Sequence, residues 1–140
     1  MGESGAFNIF INYEWVGISA IGIFWAILFL QSGFDKVFDW KGNLEWLKGH
    51  FSKSPLASFV APMLGVLTVI EILAGLSSAI GVIAFWSYEI QFYIALGLML
   101  STISLLMLFF GQRIAKDYPG AQSIAMYFGI ALLSFLFMMK

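Results

Sequence analysis

Glu71 lies in the middle of an apolar run, residues 56–86, that holds no other formally charged side chain. A carboxyl group in hydrocarbon is costly, so it marks by default a buried partner, a water-filled cavity, or a proton or ligand site. On a helix, Gly65, Thr68, Glu71, Gly75 and Ser78 share one face, because they recur at intervals of three or four. The third apolar run carries a matching stripe of Gly97, Ser101, Ser104 and Gly111. Thr68, Glu71, Ser101 and Ser104 therefore form a candidate intramembrane polar site. Two readings stand level: a structural carboxyl bonded to Ser101 or Ser104, and a ligand or proton site.

A second constellation gathers where apolar runs end. Gln31, Asp35, Lys36 and Asp39 finish the first, and Gln112, Arg113, Lys116 and Asp117 finish the third. Such a cluster is either a solvated helix end with snorkelling cations or an electrostatic lid over the cavity containing Glu71, closed by Lys36 or Arg113. The two readings differ in whether a cation reaches inward.

Other chemistries lack their residues. With no cysteine there are no disulfides, thiolate relays or Cys-based metal sites, and the single histidine, His50, reads as a solvated loop residue that cannot supply paired axial haem ligands. No metal site is expected. The chain also carries no Gly-rich phosphate loop, no Ser/His/Asp constellation and no basic, aromatic patch for nucleic acid. Catalysis by this chain alone is not expected.

The elements that must position these residues follow from composition. The chain is 61% hydrophobic and 11% charged, against about 25% charged in soluble domains, so its solvent is mostly lipid. Four runs, residues 15–34, 56–86, 90–111 and 121–139, are each long enough to cross a hydrocarbon core, which needs about 20 helical residues. The expected fold is all-α: a single integral-membrane bundle of four helices over residues 1–140. A cleaved signal is a poor reading of the first run, since residues 1–14 contain no Lys or Arg, and the run is expected to stay in the mature protein. Those residues suit a short segment at the outer interface, with Tyr13 and Trp15 in the aromatic belt.

The second run is longer than a bilayer core requires, and Pro62 lacks an amide donor, so a break near Ala61 is expected, with the span proper over 62–86. Its link to the third run is short, which makes those two helices antiparallel neighbours. Pro119 suits the first turn of the fourth. Small residues for close helix contact recur as Gly22, Ala26 and Gly33 in the first run and as Ala121, Ala125 and Gly129 in the fourth. Between the first two spans, Trp40, Leu44, Leu47 and Phe51 recur at helical spacing, predicting an amphipathic helix at the cytoplasmic interface. Six of the seven basic residues, Lys36, Lys41, Lys48, Lys53, Arg113 and Lys116, fall in the two loops of one side. By the positive-inside rule those loops are cytoplasmic and both termini face outward.

The run Phe29-Leu30-Gln31-Ser32-Gly33-Phe34-Asp35-Lys36-Val37-Phe38-Asp39 resembles the end of the first span in the DoxX-like family of bacterial membrane proteins. Residues 62–81, with Glu71 followed four places later by Gly75, resemble that family's second span. The stretch Gly111-Gln112-Arg113-Ile114-Ala115-Lys116-Asp117-Tyr118 resembles the third loop of some members. Together the resemblance covers about residues 24–137. It implies a four-helix bundle of the bacterial inner membrane and a role near quinone-linked or thiol-linked redox systems. On that basis the expected partners are the lipid bilayer and other membrane-protein subunits, with a bound quinone or lipid in place of an intrinsic cofactor. The alternatives are a structural or assembly subunit and a small proton-linked transporter protomer.

Overall fold

Asn12 starts the first helix by accepting the Trp15 amide hydrogen on its side chain at 3.0 Å. The computed structural model describes residues 12–140, so the interfacial segment expected at the amino terminus lies, through residue 11, outside the described residues. Helix α1 (Tyr13–Phe38) runs four residues past the expected end. Asp39 then ends α1 and caps the short helix α2 (Trp40–His50), its carboxylate accepting the Gly42 amide hydrogen at 3.2 Å. A single residue thus joins the two.

A 3₁₀ turn (Ala57–Phe59) leads into α3 (Val60–Tyr88). The break expected near Ala61 therefore falls at Phe59. Pro62 sits in the first turn of α3, where its missing donor leaves no bond unmade. Helix α4 (Phe92–Ile114) follows after three residues. Lys116 turns the chain with a positive φ of 59°, and Asp117 caps α5 (Tyr118–Met138) by accepting the Gly120 amide hydrogen at 3.0 Å, with Pro119 in the first turn.

Helix α3 is the centre of the bundle, packed between α1 and α4; α5 lies mainly on α4. Two crossings are close enough to need glycine. A Cβ on Gly75 would stand 2.6 Å from the Leu30 backbone nitrogen of α1, and one on Gly81 would stand 2.6 Å from that of Ile94 in α4. Around these crossings the core forms from Trp25, Phe29, Ala74, Leu98, Leu105 and Ala131, with Ile18, Val82, Phe85 and Ile94 toward the end near the amino terminus. Trp25 donates its indole hydrogen to Ser134 of α5 at 3.3 Å, and Trp86 donates to Ser19 at 2.8 Å.

The stripe expected on the fourth span is not its packing face. Ala121 is buried, but Ala125 and Gly129 are exposed, and a Cβ on Gly129 would meet nothing within 4 Å. Ile124, Phe128, Ala131, Ser134 and Phe135 face α1 and α4 instead. The buried residues of α5, Ala121, Ala131 and Ser134, are still small, with Ile124, Phe128 and Phe135 packed partly buried around them.

Among the described residues four helices, α1, α3 with its leading turn, α4 and α5, are long and apolar enough to cross a membrane. Their outer faces expose Ile27, Val69, Ile83, Leu106 and Leu133, so this multi-pass membrane protein meets lipid on its sides. Helix α2 does not cross. It lies at the end that carries both basic loops, with Phe51 buried beside Gly111 of α4, Leu44 and Leu47 half-buried, and Trp40 at the edge of exposure.

Candidate functional site

Glu71 lies about 16 Å along α3 from its start at 1.5 Å per residue, and its side chain is fully buried. The Gly75 crossing draws α1 against α3 at this level and brings Lys36 and Ser32 onto the carboxylate. Lys36 Nζ stands 2.9 Å from Oε2 in an ion pair, at an angle too oblique for a directed hydrogen bond. The Ser32 hydroxyl donates to Oε1 at 3.2 Å. Lys36 also donates to the Ser32 hydroxyl at 2.8 Å and to the Ser32 carbonyl at 3.2 Å, two hydrogen bonds that hold its ammonium group beside the carboxylate. The cluster is a closed ring of two helices. Intramembrane charges survive by pairing in this way.

The partners expected for Glu71 were Ser101, Ser104, Lys36 and Arg113; of these, Lys36 is the one in contact. Thr68 and Ser101 turn their hydroxyls back onto their own helices, to Leu64 O and Gly97 O, each at 2.7 Å. Ser104 is buried with no hydrogen-bond partner, as is Ser78. Ser32 was not among the candidates, although it lies one helical turn before Lys36, where a side-chain contact is natural.

The polar cluster of the basic end divides into two. Lys36 turns inward, while Gln31 and Asp35 are exposed and take no part. Arg113 is not a lid over Glu71: it is exposed and stacks over the Tyr118 ring at 4.7 Å. Gln112 and Asp117 meet His50 instead, whose Nε2 stands 3.0 Å from Gln112 Oε1 and 3.6 Å from Asp117 Oδ2. His50 is therefore not a solvated loop residue. It sits in the last turn of α2, half-buried, stacked on Trp46 at 4.6 Å and edge-on to Phe51 at 5.2 Å.

Beneath this contact is a cavity of about 250 Å³ between α2, α3 and α4. Leu47 and Phe51 roof it, Leu64 and Leu67 of α3 face Met107 and Leu108 of α4, and Gln112 is the one polar side chain in its lining. An apolar hollow with a single placed polar group can hold a lipophilic molecule and orient it. Gln112 and Gly111 were singled out in the sequence and Leu47 and Phe51 by their helical spacing, whereas Leu64, Leu67, Met107 and Leu108 carry no such signal. No family model, curated protein or solved structure matches the chain.

Proposed function

We propose that the protein binds one lipophilic molecule, of the quinone or lipid class, in the cavity beneath α2, and serves as a non-catalytic membrane subunit of a redox complex. The observation that carries this reading is the apolar cavity with Gln112 at its edge. The redox context comes from the resemblance to DoxX-like proteins, and the same resemblance supplies the bacterial inner membrane as location. The basic asymmetry supports a cytoplasmic position for α2 and its loops, with both termini outward and α2 lying along the inner leaflet.

A structural or assembly role is favoured by a different observation. Helix α5 buries little of its surface and leaves Met126, Leu132, Leu133 and Leu136 uncovered. A transporter is less well supported, because Glu71 is shut into an ion pair with Lys36.

The test is extraction in mild detergent followed by native mass spectrometry of the wild type and Leu67→Trp. The expected result is a bound lipophilic molecule in the wild type that is lost from Leu67→Trp, with any protein partner retained by both. A wild type without such a molecule, or a Leu67→Trp variant that keeps it, refutes the binding role. Sidedness is read separately: cysteine at Ser52 should resist a membrane-impermeant thiol reagent in spheroplasts, and cysteine at Ser87 should react. The reverse pattern inverts the topology.

A further inference from the structure

Which of the two lipophilic classes the cavity takes follows from what its walls lack, given the binding role proposed above. A quinone ring carries two carbonyl acceptors and is held by donors. Gln112 does not supply one: its amide oxygen is turned to His50 Nε2 at 3.0 Å, and its amide nitrogen lies against Gly120 and the Asp117 carboxylate at the start of α5. What Gln112 offers the cavity is its methylene stem. The Thr68 hydroxyl, next to Leu67, donates to Leu64 O of its own helix. Leucine, methionine and phenylalanine side chains make up most of the remaining wall.

The shape of the cavity points the same way. Among the described residues none of α1 or α5 lines it, and Phe110, at its edge, is exposed on the face it shares with Leu106, so the hollow opens sideways between α3 and α4 onto the lipid-facing surface. Met63 and Met107 stand in its walls, and their unbranched thioethers adapt to an irregular occupant. The volume, about 250 Å³, falls below the roughly 300–1,000 Å³ of drug-sized sites, which suits one chain rather than a two-chain phospholipid. A chain that enters from the bilayer gains no hydrophobic free energy, because lipid is just as apolar; it gains van der Waals contact with the walls. That gain depends on how the space is filled and is indifferent to the head.

We propose that the cavity holds one hydrocarbon chain of a lipid from the leaflet on the basic side, admitted between α3 and α4, and leaves the head group outside and unread. Of the lipid and quinone classes, the lipid chain is the occupant.

The full chain is reconstituted in phosphatidylcholine nanodiscs that carry a trace of phosphatidylcholine spin-labelled within one acyl chain. A motionally restricted component that is present in the wild type and reduced in Leu67→Trp reports the chain in the cavity, since the outer faces of the two proteins are otherwise the same. Met107→Trp, from the facing wall, fills the same space and serves where Leu67→Trp does not fold. Hexadecane and hexadecanol at equal mole fractions in the bilayer should displace this component within about two-fold of each other, because a head that found a donor would gain about two- to ten-fold. A decyl benzoquinone should compete no better than decylbenzene. A larger preference for the alcohol or the quinone overturns the inference and leaves the binding role standing. A restricted component that both filling variants retain removes the cavity as binding site, and the binding role with it.

Discussion

The ion cluster of α1 and α3 and the cavity of α2, α3 and α4 lie at neighbouring levels of the same bundle and are opposites. One has charge without space: Lys36 and Ser32 close on Glu71, whose side chain is wholly buried. The other has space without charge, walled by leucine, methionine and phenylalanine with one amide at its edge. The residue that chemistry singles out first, an isolated carboxylate in an apolar run, is the one already spoken for by its neighbours. Capacity to bind lies where the residue types are bland.

The contrast breaks most visibly at the ion pair. Lys36→Met should destabilise the protein by about 3–5 kcal/mol, because it leaves a buried carboxylate unpaired, and adding Glu71→Leu should recover most of the loss. Thermal unfolding in detergent measures both; a Lys36→Met protein as stable as wild type would mean that the pair does not close this region. Next, Gly75→Ala should cost about 1–3 kcal/mol, since its Cβ meets the Leu30 backbone at 2.6 Å, while Gly129→Ala on the open face of α5 should stay within about 0.5 kcal/mol. Equal effects at the two glycines would deny that the crossing with α1 is tight.

On the cavity side, Leu67→Trp should change stability by less than about 1.5 kcal/mol, because the added ring fills existing space, yet abolish ligand binding. A larger loss of stability would show the space to be smaller than described. The smallest effect is expected at Ser104→Ala, neutral or stabilising by up to about 1 kcal/mol, because it removes a buried hydroxyl that has no partner. Clear destabilisation there would give Ser104 a bond to Glu71 after all and would extend the ion cluster across to α4.

Much of the fold was legible because lipid imposes so simple a demand: long apolar runs bounded by polar ones. The helix ends were less so. Asn12, Asp39 and Asp117 each cap a helix with a side-chain oxygen, and α1 continues through Lys36 because that cation turns inward to a carboxylate rather than outward to water. The pairing of Lys36 with Glu71 was among the possibilities, since both types were conspicuous. Ser32 was hidden beside the more polar Gln31. His50 looked free because Gln112 and Asp117, far away in sequence, come to it only when α2 folds back over α4. On α5, the small residues that pack are Ala121, Ala131 and Ser134, not Ala125 and Gly129. Gln112, Leu47 and Phe51 were conspicuous but the hollow they border was not, for Leu64, Leu67, Met107 and Leu108 would read the same had they been packed solid.

The order of the ion cluster along the chain bears on how the protein is made. Lys36 and Ser32 belong to the first apolar helix and Glu71 to the second, so during synthesis the cation precedes the carboxylate. When α3 enters the bilayer, the partner of its one acid is already in place, and the crossing at Gly75 needs no later segment. The charge of α3 is thus met within the first two spans, with no residue of α4 or α5 in the ion cluster.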